Sequence, residues 1–368
     1  MSLLTLPTQD KALASVAEKV IHGERLSIQD GLALYESQDL LTIGQLANHV
    51  NQRKNGDHVY FIQNMYINPT NVCEANCRFC GFRKDLGEDG SYTMSTDELL
   101  HYVGTRYHEG VREFHIVGGH NQHVGFDYYL DTVRVLKQHY PQVTIKAYTG
   151  AEIEFFSRIA GLSFREVLQE LIKAGLDTMP GGGAEILTEN YREKMSPEKA
   201  STDQWLEAHH TAHQLGLRTH ATMLYGSIES KEERLIHMDR VRSLQDETNG
   251  FMVFIPLAMQ PMKVTAGIKR RTSAIDDLKT IAISRLMLDN FQHIKAYFIN
   301  IGTQLTQLSL TMGSSDVHGT LIEERISHAV GALTQQALTV EELVWLIQGA
   351  GKKAIERDTF YNIVKEYE

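Results

Sequence analysis

Strand-like and helix-like stretches alternate along the middle of this chain, and that alternation limits the fold more than any other feature. Short runs rich in β-branched and aromatic residues fall at 59–67 (VYFIQNMYI), 113–117 (EFHIV), 143–149 (VTIKAYT), 176–179 (LDTM), 218–224 (RTHATML), 251–257 (FMVFIPL) and 295–299 (KAYFI). Amphipathic stretches with helical periodicity lie between them, near 95–109, 126–139, 163–174, 201–215, 230–246 and 276–292. Ser95 with Glu98, and Ser201 with Gln204, read as capping boxes that start two of these helices. Strand–helix–strand units repeated this often predict parallel strands joined by crossover helices. Seven strands are visible, and an eighth is expected within 302–320. The chain therefore reads as α/β, with a (β/α) barrel of TIM type expected and an open doubly wound sheet as the alternative.

Both ends read as helical extensions of the barrel at 56–320. Residues 1–55 carry three helical patterns, with Ser27 and Thr42 as expected N-caps. Residues 321–368 read as further helices, including TVEELVWLIQGAGKKAIE. Trp205 and Trp345 fall in helical stretches and are expected to pack. The chain has 368 residues, 42% of them hydrophobic, enough for a large core, and a net charge of −10. That charge argues against general nucleic-acid binding, which needs a basic face. No apolar run reaches the roughly 18 residues that a membrane span needs. The first residues lack the basic and apolar regions of a signal peptide. A cytoplasmic protein with no membrane or nucleic-acid partner is expected.

In barrels of this kind, chemistry gathers at the C-terminal ends of the strands. Unusual segments fall there: Gly118-Gly119-His120-Asn121, Thr149-Gly150-Ala151-Glu152, Pro180 to Glu185 with its triple glycine, and Tyr225-Gly226-Ser227. The loop after the first strand holds all three cysteines of the chain, Cys73, Cys77 and Cys80, in NVCEANCRFCGF. Three thiolates in this spacing can hold three irons of a [4Fe–4S] cluster, whose usual complement is four cysteines. The fourth iron is then free for an external ligand, which points to chemistry rather than electron storage. A Cys₃His zinc site is the alternative, because the chain has 17 histidines. An odd count in a long chain speaks against a disulfide framework. The triple glycine follows no phosphate-loop pattern, so no nucleotide phosphate site is expected.

With the aromatic Phe79 before the last cysteine, this motif resembles the radical S-adenosylmethionine (SAM) superfamily. The segments YINPTNVCEANCRFCGFRK, HIVGGHN, KAYTGAEIEF, MPGGGAEIL, THATMLYG and LQDETNGFMVFIPLA resemble its menaquinone (futalosine pathway) and deazaflavin group. They cover roughly residues 57–260, and KAYTGAEIE with MPGGGAE most resembles the aminofutalosine (aminodeoxyfutalosine) synthase family. The sister dehypoxanthine futalosine cyclases and deazaflavin (F420) synthase subunits tend to carry a Ser-Pro-Pro-Glu-like sequence after the third strand, absent here. Two positions depart from the group. Ser227 stands where many relatives carry histidine, and His120 where a glutamate often follows the glycines.

The resemblance implies a radical SAM barrel holding a [4Fe–4S] cluster, with SAM as co-substrate on the open iron. One-electron cleavage of SAM would give methionine and a 5′-deoxyadenosyl radical. That radical would add to the enol ether of 3-[(1-carboxyvinyl)oxy]benzoate and give 6-amino-6-deoxyfutalosine, with a carboxylate lost as bicarbonate or CO₂. The electron would come from an external reductant such as flavodoxin or ferredoxin. An iron–sulfur electron-transfer protein is the non-enzymatic alternative.

On this resemblance Cys73, Cys77 and Cys80 are the cluster ligands. Phe79, Gly118, Gly119, Glu185 and Ile255 are assigned to the cofactor, with Glu185 suited to the ribose hydroxyls. Glu185, His115 and His220 are the candidate catalytic groups. Period-two alternation puts His115 with Val117, and His220 with Thr222, on one face each, and if those faces are inward both histidines meet the substrate cavity. Tyr148, Glu152 and Arg83 are assigned to the substrate. Its two carboxylates call for at least one cationic partner, with Arg83, Arg78 and Lys146 as candidates. Ordinary roles compete: a carboxylate at a helix N-terminus for Glu185, and structural histidines in the strands.

Overall fold

The computed structural model describes residues 8–260, 271–322 and 324–368. Three helices come first: α1 (Lys11–His22), α2 (Ile28–Glu36) and α3 (Leu40–Asn55). The chain then enters β1 (His58–Ile62) and β2 (Asn64–Ile67), with Gln63 between them. Alternation follows through α4 (Thr96–Gly104), β3 (Glu113–Ile116), α5 (Phe126–His139), β4 (Thr144–Ala147), α6 (Gly150–Ala160), α7 (Phe164–Ala174) and β5 (Thr178–Met179). It continues through α8 (Glu189–Met195), α9 (Thr202–Gln214), β6 (Arg218–Tyr225), α10 (Lys231–Thr248), β7 (Phe251–Ala258), α11 (Ala274–Met287) and β8 (His293–Ile294). The end comprises α12 (Phe298–Ser309), β9 (Asp316–Gly319), α13 (Ile326–Ala329), α14 (Val340–Gly349), β10 (Lys353–Arg357) and β11 (Ile363–Tyr367).

Seven strands, β2 through β8, run parallel in chain order as one sheet. A second sheet has the order β11-β10-β1-β9. Single bridges, Lys295 to Asp316 and Met65 to Ile322, tie β9 and its exit to both ends of the larger sheet. The Ala296 N–H donates to the Asp316 carbonyl at 2.8 Å, and the Tyr66 N–H to Ile322 at 3.3 Å. The region around β9 thereby closes the ring, so the eighth strand expected within 302–320 is present.

Both predicted capping boxes are present, at Ser95–Glu98 and Ser201–Gln204. Each such cap is worth about 1 kcal/mol by satisfying orphan N–H groups. Other expectations need correction. The run 59–67 is not one strand: 58–62 pairs with β9 and β10, and 64–67 pairs with β3, so the chain changes sheet at Gln63. The run 295–299 is mostly not strand either: Phe298 begins α12, and so short a run does not tell helix from strand by pattern. Thr42 is not the N-cap of α3; Asp39 is, accepting from the Thr42 N–H at 3.0 Å. The tail is not helical throughout. Past α14 and Gly351 (φ 70°), KAIER becomes β10 alongside β1. Trp345 is not packed but 72% exposed.

Between the sheet and its helical coat, Phe114, Ile145, Phe155, Phe156 and Leu168 form part of a continuous apolar core. The N-terminal helices lie outside the barrel. α3 packs on α11, and α2 on α10 and α11. Lys279 donates to the Tyr35 carbonyl at 2.9 Å and Arg242 to that of Leu26 at 2.9 Å. These helices brace the wall. No described helix is long and apolar enough to cross a membrane.

Candidate active site

A cavity of about 310 Å³ opens at the C-terminal ends of the barrel strands. The cysteine loop forms one side of its rim, with Cys73, Cys77 and Cys80 all on the lining. Several elements hold this loop. The Glu74 N–H donates to His120 O at 2.9 Å, the Arg78 N–H to Met195 O at 2.9 Å, and the Asn76 N–H to Glu198 at 2.5 Å. Arg158 also pairs with Glu74. The connection from α8 to α9 thus clamps the cysteines from outside.

The donor set fits an iron–sulfur cube. Three thiols from one loop face the same space, and the His120 N–H donates to the Cys73 sulfur at 3.2 Å, as a thiolate ligand needs. Burial pushes the Cys77 thiol up to about 12 and raises that of Cys73, so deprotonation must come with metal binding. Among the described residues, no three His, Cys, Asp or Glu side chains converge as ligands of a single ion would. A cube asks for separated thiolates, one per iron.

Glycines let the backbone close on this loop. A Cβ on Gly119 would stand 2.1 Å from the Val72 carbonyl oxygen and 3.0 Å from the Cys73 Cβ. Gly181 is likewise pressed on the Ala221 backbone, 2.6 Å from where its Cβ would be. The Gly182 carbonyl accepts from the Trp205 indole at 3.0 Å, which anchors the triple-glycine turn. Just beyond, Glu185 sits at φ 46°, a strained setting that turns its carboxylate toward the rim.

Sequence reasoning missed the partner of Glu185. The Lys199 ammonium lies 2.7 Å from the Glu185 carboxylate and 5.6 Å from the Phe79 ring centre, and both side chains are largely buried. Burial alone would depress its pKa, but Glu185 and Cys77 more than offset that and raise it. Lys199 comes from the α8–α9 connection, two residues before the N-cap of α9, where no pattern distinguishes it from a surface lysine.

His115, Val117, His220 and Thr222 all line the cavity, as alternation predicted. Burial, then Lys146 and Lys295, holds both imidazoles well below their ordinary pKa, hence neutral. Lys146 also reaches the lining and pairs with Glu113 at the base. Phe79, Gly118, Gly119, Glu152, Glu185 and Ile255 line the cavity too. The Glu152 carboxylate accepts from the Thr149 N–H at 2.7 Å and the Gly118 N–H at 3.3 Å, so it shapes two rim loops at once. Arg83 reaches the mouth but is paired with Asp85 at 2.6 Å.

Tyr148 is a correction. Its positive φ (62°) at the strand end turns the ring into the helical layer, where its hydroxyl donates to Tyr129 O at 2.7 Å, and it does not line the cavity. Ser227 is also off the lining, bonded to Glu229 and Tyr191. His120 stacks on Phe155 with centres 5.0 Å apart. The tail contributes unexpectedly: Glu324, Ile326, Ser327 and Val330 flank the mouth opposite Gly81.

Comparison with known proteins bears on the family. The Radical SAM superfamily matches residues 67–241, and the CofH/MqnC C-terminal region matches 248–367. The chain is 50% identical to an aminodeoxyfutalosine synthase of Thermus thermophilus over 98% of both chains. It is 35% identical to a cyclic dehypoxanthine futalosine synthase of Halalkalibacterium halodurans, over 97% of this chain and 96% of that one. In fold it is similar to the crystal structure of methylornithine synthase, with TM-score 0.72 and 19% identity over 92% of this chain and 96% of that one.

Proposed function

The chain belongs to the radical SAM superfamily, and we propose that within it the protein is an aminodeoxyfutalosine synthase. It would join the 5′-deoxyadenosyl group of SAM to 3-[(1-carboxyvinyl)oxy]benzoate, giving 6-amino-6-deoxyfutalosine, methionine and bicarbonate or CO₂. The observation that carries this reading is one cavity joining a three-cysteine rim to a buried cationic base.

When bound, a [4Fe–4S] cluster and SAM supply the adenosyl radical that ends in the product. The chain's own residues do the rest. Cys73, Cys77 and Cys80 would hold three irons. The Gly118–Gly119 backbone, pressed against the cysteine loop, would lie beside the methionine part of SAM. Glu185 accepts from the ribose hydroxyls, and Lys199 offers its ammonium to the SAM carboxylate beside Phe79. Ile255, Leu257 and Met259 form an apolar wall that excludes water from the reacting carbon. His115 and His220, held neutral, offer N–H donors without becoming acids. Asn76 and Arg78 are exposed on either side of buried Cys77. An external one-electron donor such as flavodoxin or ferredoxin would approach there.

The test is a substrate choice under anaerobic reconstitution with iron, sulfide, SAM and reductant. The expected outcome is an adenosyl adduct from 3-[(1-carboxyvinyl)oxy]benzoate and no turnover of dehypoxanthine futalosine. Turnover of the latter, with free 5′-deoxyadenosine and no adduct, would move the chain to the cyclase family.

A further inference from the structure

The base of the cavity carries more polar machinery than SAM binding uses. Barrels of this type ordinarily fill their interior with layers of branched aliphatic side chains. Here Tyr66, His115 and Lys146 are mutual partners on β2, β3 and β4, so they share one level and one face. His220 joins them from β6. It is 1% exposed, and its Nε2 has no hydrogen-bond partner; the Nδ1 of His115 has none either. Two imidazoles, each with a buried ring nitrogen left unpaired beside a cavity, are costly unless a ligand meets them.

The charges around them are unequal. Lys146, Lys295 and Arg357 lie in this layer against the carboxylates of Glu113 and Asp316. Asp316 is committed to Arg357 at 2.7 Å and to the Tyr361 hydroxyl at 2.9 Å, and stands 3.5 Å from Lys295. Lys295 donates to His318 Nδ1 at 3.3 Å, and His318 lines the cavity floor. Glu324 at the mouth is already taken by His328 and the Ser327 N–H. The floor therefore holds three basic side chains for two carboxylates, with burial lowering Lys295 to about 7 so that a bound anion would favour its charged form, under apolar and aromatic walls that include Ile255, Leu257 and Tyr297.

We infer that this floor is a receptor for one aryl carboxylate, with Lys146, His115 and His220 as its direct donors and Lys295 acting from behind His318. The inference rests on the proposed function and says which end of the substrate goes deep. The enol carbon must reach the adenosyl carbon at the rim, so the carboxylate attached to that unit stays high. That carboxylate is also the one lost, and a cation held against it would favour the anion over departing CO₂. The ring carboxylate is retained in the product, so strong ion pairing there costs the reaction nothing. The ring then lies between the aromatic walls, with its carboxyvinyloxy arm directed at the rim.

The test compares 3-[(1-carboxyvinyl)oxy]benzoate with 2-phenoxyacrylate, which lacks only the ring carboxylate, in cluster-loaded protein. Wild type should prefer the first by about 100-fold or more in kcat/KM, as a site with buried donors rejects a ligand that leaves them unpaired. His220→Leu should cut that preference about tenfold. The double variant Lys146→Met with Glu113→Gln, which removes both charges of the pair together, should bring it within a few-fold of unity. Equal losses on both substrates, or an unchanged preference, would overturn the assignment. A binding measurement needs no variant: by calorimetry, 3-methoxybenzoate should bind the wild-type holoprotein and anisole should not, and equal binding would overturn it. If wild type gives no adduct from the carboxylated substrate yet binds 3-methoxybenzoate, the proposed function fails and the carboxylate receptor stands.

Discussion

The two ends of the cavity are built differently. At the rim, functional groups come from loops: a cysteine loop clamped by its neighbours, glycine turns pressed to contact, and the Glu185–Lys199 pair from two connections. At the floor, they come from strands in register, locked into ion pairs inside the barrel. Loops bring groups from distant parts of the chain around a cluster and a large co-substrate, while strands hold a small anchor in one place. The contrast assigns radical generation to the rim and substrate orientation to the floor, and it can be broken at either end.

The largest effect is expected at the rim. Cys77→Ala should abolish turnover and the visible charge-transfer absorption of the reconstituted protein, with the far-ultraviolet circular dichroism of the barrel unchanged. Retained turnover would remove the cluster from the account. Next, Lys199→Met should raise the KM for SAM about 30-fold or more, because it leaves the buried Glu185 carboxylate unpaired. Lys199→Arg should recover most of that loss, and KM for the benzoate substrate should move far less. Equal shifts in both constants would merge the two ends that the structure separates.

Smaller effects test how the rim is shaped. Gly119→Ala places a methyl 2.1 Å from the Val72 carbonyl, so the cysteine loop must move. The expected cost is about 1–3 kcal/mol, seen as a lower Tm together with a lower iron content per chain. A lower Tm at full iron content would show that Gly119 serves packing alone. The smallest effect is a pH slope. Burial, against bonds from Thr149 and Gly118, pushes the Glu152 carboxyl up to about 7. The folded protein then keeps a proton that the unfolded chain releases near pH ~4.3. The stability it contributes is complete below that point and is lost as pH rises through about 7. Glu152→Gln should therefore flatten the decline of Tm between those pH values, and parallel curves for the two proteins would contradict the shift.

How much of this was legible in the sequence follows from how local each signal is. The cysteines, Gly118–Gly119 and Glu185 sit in contiguous segments right after strands, so the alternation pattern placed them on the rim. Period two put His115 with Val117 and His220 with Thr222 on common faces, but alternation alone does not say which face turns inward. Lys199 was not legible, because its importance comes from packing of the α8–α9 connection on a loop more than a hundred residues earlier. The floor was only partly visible. Lys146 was one of three candidate cations with nothing to choose among them, and Lys295, Asp316 and Arg357 meet only when β9 and β10 join β1. Those strands were obscured by the split at Gln63, which reads as one continuous run, and by a tail whose helix pattern ran on past Gly351. Tyr148 misled because a strand pattern carries no sign of the positive φ that turns it outward.

On this assignment the radical made at the rim becomes part of a product anchored by the floor. The most direct measurement uses SAM labelled with ¹³C at the 5′ carbon, 3-[(1-carboxyvinyl)oxy]benzoate and the reduced holoprotein, with products resolved by mass spectrometry. The expected result is one methionine released for each labelled aminodeoxyfutalosine formed, with the label retained in the adduct. Methionine matched by labelled free 5′-deoxyadenosine, with no labelled adduct, would contradict it.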